Sequence, residues 1–129
     1  MQERRQARDR GALILSYVVI VPVFLAALMV IVQGAMWYLA RSAALAAARQ
    51  GVDAARVMHS SAAAGVVAAE RFAQRSASGY LMSPQAYSWH SSASTIVITV
   101  RGRVPSLVPG LPISVSQVAE APVERFTTP

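Results

Sequence analysis

Hydrophobic and polar positions divide this chain unevenly. Residues 1–10, "MQERRQARDR", are polar and carry four arginines against Glu3 and Asp9. Residues 11–40 then carry no formal charge. A helix crosses a bilayer core with roughly 20 apolar residues, whereas the apolar core of a cleaved secretory signal takes only about 7–15. The run therefore predicts a membrane-spanning helix. Pro22 inside it would break a soluble helix but is tolerated in a membrane one. Trp37 and Tyr38 fall where an interfacial aromatic belt is expected, and the arginines before the run favour a cytoplasmic N-terminus.

From Arg41 the helix continues with a different character. In "RSAALAAARQGVDAARVMH" the positions Leu45, Ala48, Val52 and Ala55 recur at helical spacing and predict one narrow apolar stripe. Asp53 can pair with Arg49 or Arg56 on the solvated side. The pattern predicts one long helix from about Ala12 to His59, weakened slightly at Gly34 and Gly51. Ser60 or Ser61 can cap a second helix, "AAAGVVAAERFAQRSAS", closed by Gly79. Strand patterns follow. "AYSWHS" sets Tyr87 and Trp89 on one side, "STIVITVRGRV" alternates Ile96, Ile98 and Val100 with Thr95, Thr99 and Arg101, and "ISVSQVAEAPVERF" alternates Ile113 and Val115 with Ser114 and Ser116. Between the last two, "PSLVPGLP" reads as a loop. The fold class expected is α+β: a long transmembrane and amphipathic helix, a short second helix, then a small three-stranded antiparallel sheet. The expected segments are a basic leader over 1–11, a transmembrane helix over 12–40, an amphipathic helical region over 41–79 and a β domain over 80–129.

The chain has 129 residues, a mean hydropathy of +0.41, no cysteine and a net charge of +6. Disulfides and thiolate metal sites are excluded. The basic balance does not read as nucleic-acid binding, because the arginines are scattered without a dense basic stripe. Nor does the sequence offer a catalytic constellation. It has no G-x-S-x-G elbow, no P-loop and no G-x-G-x-x-G. His59 and His90 lack an acidic cluster that would complete a metal site, and His90 reads as a solvated strand-end residue. No enzyme activity, cofactor or metal is expected.

A short basic leader, then "RG", then an uncharged helix resembles the class III signal peptides of type IV pilins. "DRGALILSYVVIVPVFLAALMVIVQGAMWYLARSAALAAARQGVDAAR" is most similar to the N-terminal region of TadE-like pseudopilins, minor pilins of Tad/Flp-type pilus systems. "AEAPVERF" resembles the last strand of many actinobacterial members. The resemblance implies cutting between Gly11 and Ala12 by a membrane prepilin peptidase, with the glycine admitting the scissile backbone to a narrow site. It places Pro22 at the proline of the family's "LP" motif and Tyr17 at an aromatic position. Ser16 stands where the family usually carries glutamate, so it offers a hydroxyl in place of a register-setting buried charge.

The small residues Ala26, Ala27, Gly34, Ala35 and Ala40 would permit close lateral packing. The partners implied are the membrane, the peptidase, other pilin-like subunits and the assembly platform. The chain would be a single-pass protein of the cytoplasmic membrane, with its C-terminal domain outside. Two further readings stay open: an uncut, signal-anchored envelope binding module that does not polymerise, and a domain released by cutting near "SAALAAA" (42–48). Leu107, Val108 and Leu111 would dock a partner, rest on the membrane or fold back over the core.

Overall fold

The structure is a computed structural model that describes residues 2–57 and 60–123, with 2–15 as backbone alone. His59 and the final "ERF" of the expected last strand lie outside the described residues. Helix α1 spans Gln2–Arg56, α2 spans Ala62–Ser76, and strands β1 (Met82–Tyr87), β2 (Thr95–Val104) and β3 (Ile113–Pro122) follow. The sheet is antiparallel in the order β1-β2-β3. The α+β class and its element order are those expected from the sequence.

Several boundaries differ. Helix α1 begins at Gln2, ahead of the expected start near Ala12, so the basic leader is itself helical; Gln, Glu, Arg and Ala all favour helix. Helix α2 stops at Ser76, before the expected Gly79, because Ala77 leaves helical geometry while its amide still bonds the Ala73 carbonyl at 3.0 Å. Ser61 is the N-cap, its hydroxyl accepting the Ala64 amide. Strand β1 starts and ends earlier than "AYSWHS" suggests. A register shift between Met82 and Gln85, with Ser83 at φ 49°, lets it pair with β2 from Met82 onward.

The chain divides into two compact units, Met1–Gly34 and Ala35–Pro129. In the first, the side chains of α1 from Tyr17 to Val32 are exposed and apolar, and Gln33 beyond them is half-buried. The second has a core built mostly from alanine. Ala40, Ala44, Ala47, Ala48, Val52 and Ala55 of α1 are buried at the predicted three- and four-residue spacing, and Leu45 is half-buried beside them. They meet Ala69 and Ala73 of α2 and the inward row Ile96, Ile98, Val100 of β2. The largest fully buried side chains are Leu81, Ile98 and Val100.

Small side chains fill little volume, so a close-packed core of alanine requires backbones to approach closely. They do so at two glycines. A Cβ built on Gly51 would stand 2.7 Å from the Gly65 carbonyl oxygen, 2.8 Å from the Ala69 Cβ and 3.1 Å from Ile98. One built on Gly65 would stand 2.6 Å from the Gly51 carbonyl oxygen and 2.7 Å from the Ala55 Cβ. Gly51 is therefore the contact that lets α1 and α2 cross, rather than the mild helix defect its propensity implies. Gly102 does the same on the sheet, where any side chain would collide with Leu81.

Overpacking a core costs about 1–3 kcal/mol, and the collision with the Gly65 backbone puts Gly51→Ala toward the top of that range. After the ~1 kcal/mol that Ala gains over Gly in a helix, the full chain in detergent should lose about 1–2 kcal/mol of stability. Gly34→Ala, where an added Cβ meets nothing within 4 Å, should cost nothing. Thermal unfolding followed by circular dichroism distinguishes them.

Candidate functional site

The apolar half of α1 is the first candidate surface. Within Ser16–Arg56 it contains a stretch of mean hydropathy 2.6, none of it buried, long and apolar enough to cross a membrane. Thirty helical residues span about 45 Å, more than the roughly 30 Å hydrocarbon core. Val18, Ile20, Val23, Phe24, Val30 and Ile31 each keep about six-tenths or more of their surface exposed. Leaving that much apolar surface in water costs about 25 cal/mol per Å². Lipid or other apolar helices must cover it.

The residues singled out from the sequence lie along this helix rather than in one cluster. Gly11 and Ala12 fall in the part described as backbone. Ser16 and Tyr17 are consecutive, and the Tyr17 ring is exposed. Pro22 sits inside α1, where its missing N–H leaves the Val18 carbonyl without its helical donor. Gly34 faces open space, about 25 Å along the axis from Tyr17. Of the small residues expected to permit lateral packing, Ala40 is instead taken up in the core of the second unit.

Next along α1, Trp37 and Tyr38 are exposed, and the Arg41 guanidinium lies 5.5 Å from the centre of the Trp37 ring. That cation–π contact contributes about 0.5–1 kcal/mol at an exposed site and pairs an aromatic with a cation, the chemistry of a headgroup region. Asp53 binds Arg56 at 3.3 Å. Both are solvated, so the pair contributes little.

Sequence reasoning missed the role of Glu70. Its carboxylate, half-buried on α2, accepts the Ala86 amide of β1 at 3.0 Å. Strand β1 is an edge of the sheet, and this bond satisfies an edge donor with a helix side chain. The signal available was that Glu70 is the single acid in an otherwise alanine- and arginine-rich helix.

The serines between β1 and β2 are likewise structural. The Ser91 hydroxyl donates to the Val97 carbonyl at 3.0 Å and accepts the Val97 amide at 2.9 Å, and the Ser92 hydroxyl accepts the Thr95 amide. His90 is exposed beside them. Among the described residues no group of three or more His, Cys, Asp or Glu side chains gathers that could hold a metal ion.

An exposed apolar helix long enough to span a bilayer, continued by an amphipathic helix that packs on a small antiparallel sheet, defines a membrane-anchored α+β protein. The family comparison is more specific. Residues 11–53 match the family model of the TadE-like protein, and this segment of the chain is TadE-like. The match takes in the whole uncharged run and ends two residues past Gly51. No curated protein and no solved structure matches the chain.

Glu70→Ala should speed hydrogen exchange of the Ala86 amide at least tenfold and cost about 1–3 kcal/mol, the penalty for a half-buried donor left without its acceptor. Glu70→Gln, which keeps a carbonyl oxygen in place, should retain most of the protection.

Proposed function

We propose that the chain is a TadE-like minor pseudopilin: a non-catalytic, membrane-anchored component of a Tad/Flp-type pilus or a related secretion system. The observation that carries this reading is the coincidence of the TadE-like match over 11–53 with a helix whose apolar side chains lack cover. The match begins at Gly11, the glycine that borders the basic leader.

In this reading the leader over 1–11 stays in the cytoplasm and a prepilin peptidase cuts between Gly11 and Ala12. The cut precedes the apolar helix, so the helix is kept as an anchor and as a surface for other pilin-like helices. Segment 12–40 lies in the cytoplasmic membrane, and the helical region 41–79 and the β domain 80–129 lie outside. Trp37 and Arg41 then sit at the outer headgroups. Tyr17, Pro22 and Gly34 face lipid or neighbouring helices, whose close approach Gly34 permits.

Ser16 favours a narrower role. A glutamate there would hold a charge that a neighbouring subunit's amine could pair with; a serine hydroxyl cannot replace it. The chain then suits a tip or initiating position better than the repeating body of a filament. The same residue supports the second reading, an uncut signal-anchored module that does not assemble into a pilus.

Intact mass of the chain from native membranes separates the readings. The pseudopilin reading expects a mature chain beginning at Ala12, and Gly11→Leu should leave the leader attached. A chain beginning at Met1 in the presence of an active prepilin peptidase would support the uncut module instead. A chain lacking residues 12–40 would overturn both.

A further inference from the structure

We infer that the outer face of the sheet carries a binding platform for an acidic glycan, centred on Tyr87, Trp89 and Arg101. Strand β2 buries Ile96, Ile98 and Val100 on one side, so Thr99, Arg101 and Arg103 project from the other. Tyr87 lies opposite Thr99, and Gln85 opposite Arg101. Trp89, just past the end of β1, is 80% exposed, far more than an indole of this area normally is in a folded domain. Its ring stands 4.9 Å from that of Tyr87 at a tilt of 48°, forming an open corner rather than a flat stack. The Tyr87 hydroxyl donates to Gln85 Oε1 at 2.6 Å, which fixes the tyrosine side of that corner. The corner opens onto a shallow hollow bordered by His90, Thr99 and Arg101.

These groups suit a sugar. A pyranose ring has a C–H face that packs on the negative face of an aromatic ring. Its hydroxyls lie around the perimeter, where Thr99, His90 and Arg101 offer polar partners. A protein partner would instead favour a continuous apolar patch around the tryptophan. Here the residues next to Trp89 in sequence are Ser88 and His90, with further serines at 91, 92 and 94. Charge selects the class of sugar. Arg101 and Arg103 are exposed, and among the described residues neither is held by an ion pair. They line a second shallow hollow with Ser83, Gln85 and Ser114. Glu120 shares the face opposite Val97, four residues along β2 from Arg101 and toward the end at which Trp89 lies, so it bounds the cationic stretch rather than neutralising it. A glycan with carboxylate groups on successive units would meet the aromatic corner and then the two cations. A nucleic acid would require a longer row of aromatic platforms along a basic groove.

Access to polymers outside the cell rests on the orientation proposed above, but the chemistry does not, so the test is made on the full chain in a polyoxyethylene detergent that contains no sugar. A Trp37→Phe background leaves Trp89 as the fluorescent reporter. Alginate oligomers, which are uronate polymers, should give a saturable change in Trp89 emission that weakens as salt is raised. Cello-oligomers, their neutral counterparts, should bind at least tenfold more weakly. Arg101→Gln should weaken alginate binding at least fivefold with an unchanged circular dichroism spectrum, while Arg49→Gln on α1 should leave it unaltered.

The inference is overturned by any of four results: no saturable response to alginate; equal binding of cello-oligomers; equal losses in the two arginine variants; or tighter binding of an oligothymidylate than of alginate. None of these results bears on cutting at Gly11, which mass measurement decides separately.

Discussion

The contact of Gly51 on α1 with Gly65 on α2 is the constraint on which the rest of the second unit depends. Each glycine places its backbone where the other helix would otherwise meet a side chain. This lets rows of alanine come into van der Waals contact, which is how a core with few large side chains reaches native packing density. Ile98 reaches both glycines from the sheet, so the two helices and β2 meet at one point. Leu81 over Gly102 repeats the arrangement where the chain enters the sheet. The core is therefore specified less by bulk than by the absence of side chains at three positions.

Polar bonds then fix what this packing leaves loose. Glu70 ties α2 to the edge strand β1, and the Ser91 and Ser92 hydroxyls close the turn between β1 and β2. Each satisfies backbone groups that would otherwise lie unpaired beside a sheet with two open edges. These residues carry chemistry in name only: a carboxylate and a cluster of hydroxyls near a histidine serve as backbone partners. With the helices covering one face of the sheet, the opposite face remains available, and Tyr87, Trp89 and Arg101 stand there.

The first unit is governed by a different solvent requirement. Its exposed valines, leucines and isoleucines are a defect in water and an asset in lipid. In hydrocarbon a helix bonds its own backbone, and the exception here is the Val18 carbonyl freed by Pro22, which a neighbouring group or a local adjustment of the helix has to satisfy. The TadE-like match covers this helix and its amphipathic continuation together. The matched span therefore joins an apolar helix that needs lipid to the start of the alanine stripe on which the outer core is built.

Periodicity alone was enough to reveal the long helix, its apolar and amphipathic halves, the stripe through Ala48, Val52 and Ala55, and the alternation of β2. Each depends on neighbours within a turn or a pleat, so it is written locally. The leucine at 45 was read into the stripe and is half-buried, because spacing defines an angle around a helix but not how far the partner surface extends. What periodicity could not assign was the meaning of Gly51, Gly65 and Gly102, the partner of Glu70, and the corner formed by Tyr87 and Trp89 above Arg101. A glycine in a helix reads as a loss of propensity until a second backbone is known to press against it. A lone glutamate reads as solvated until an edge strand arrives beside it. Those facts arise from residues far apart in the chain meeting in space, and tertiary packing alone decides such meetings.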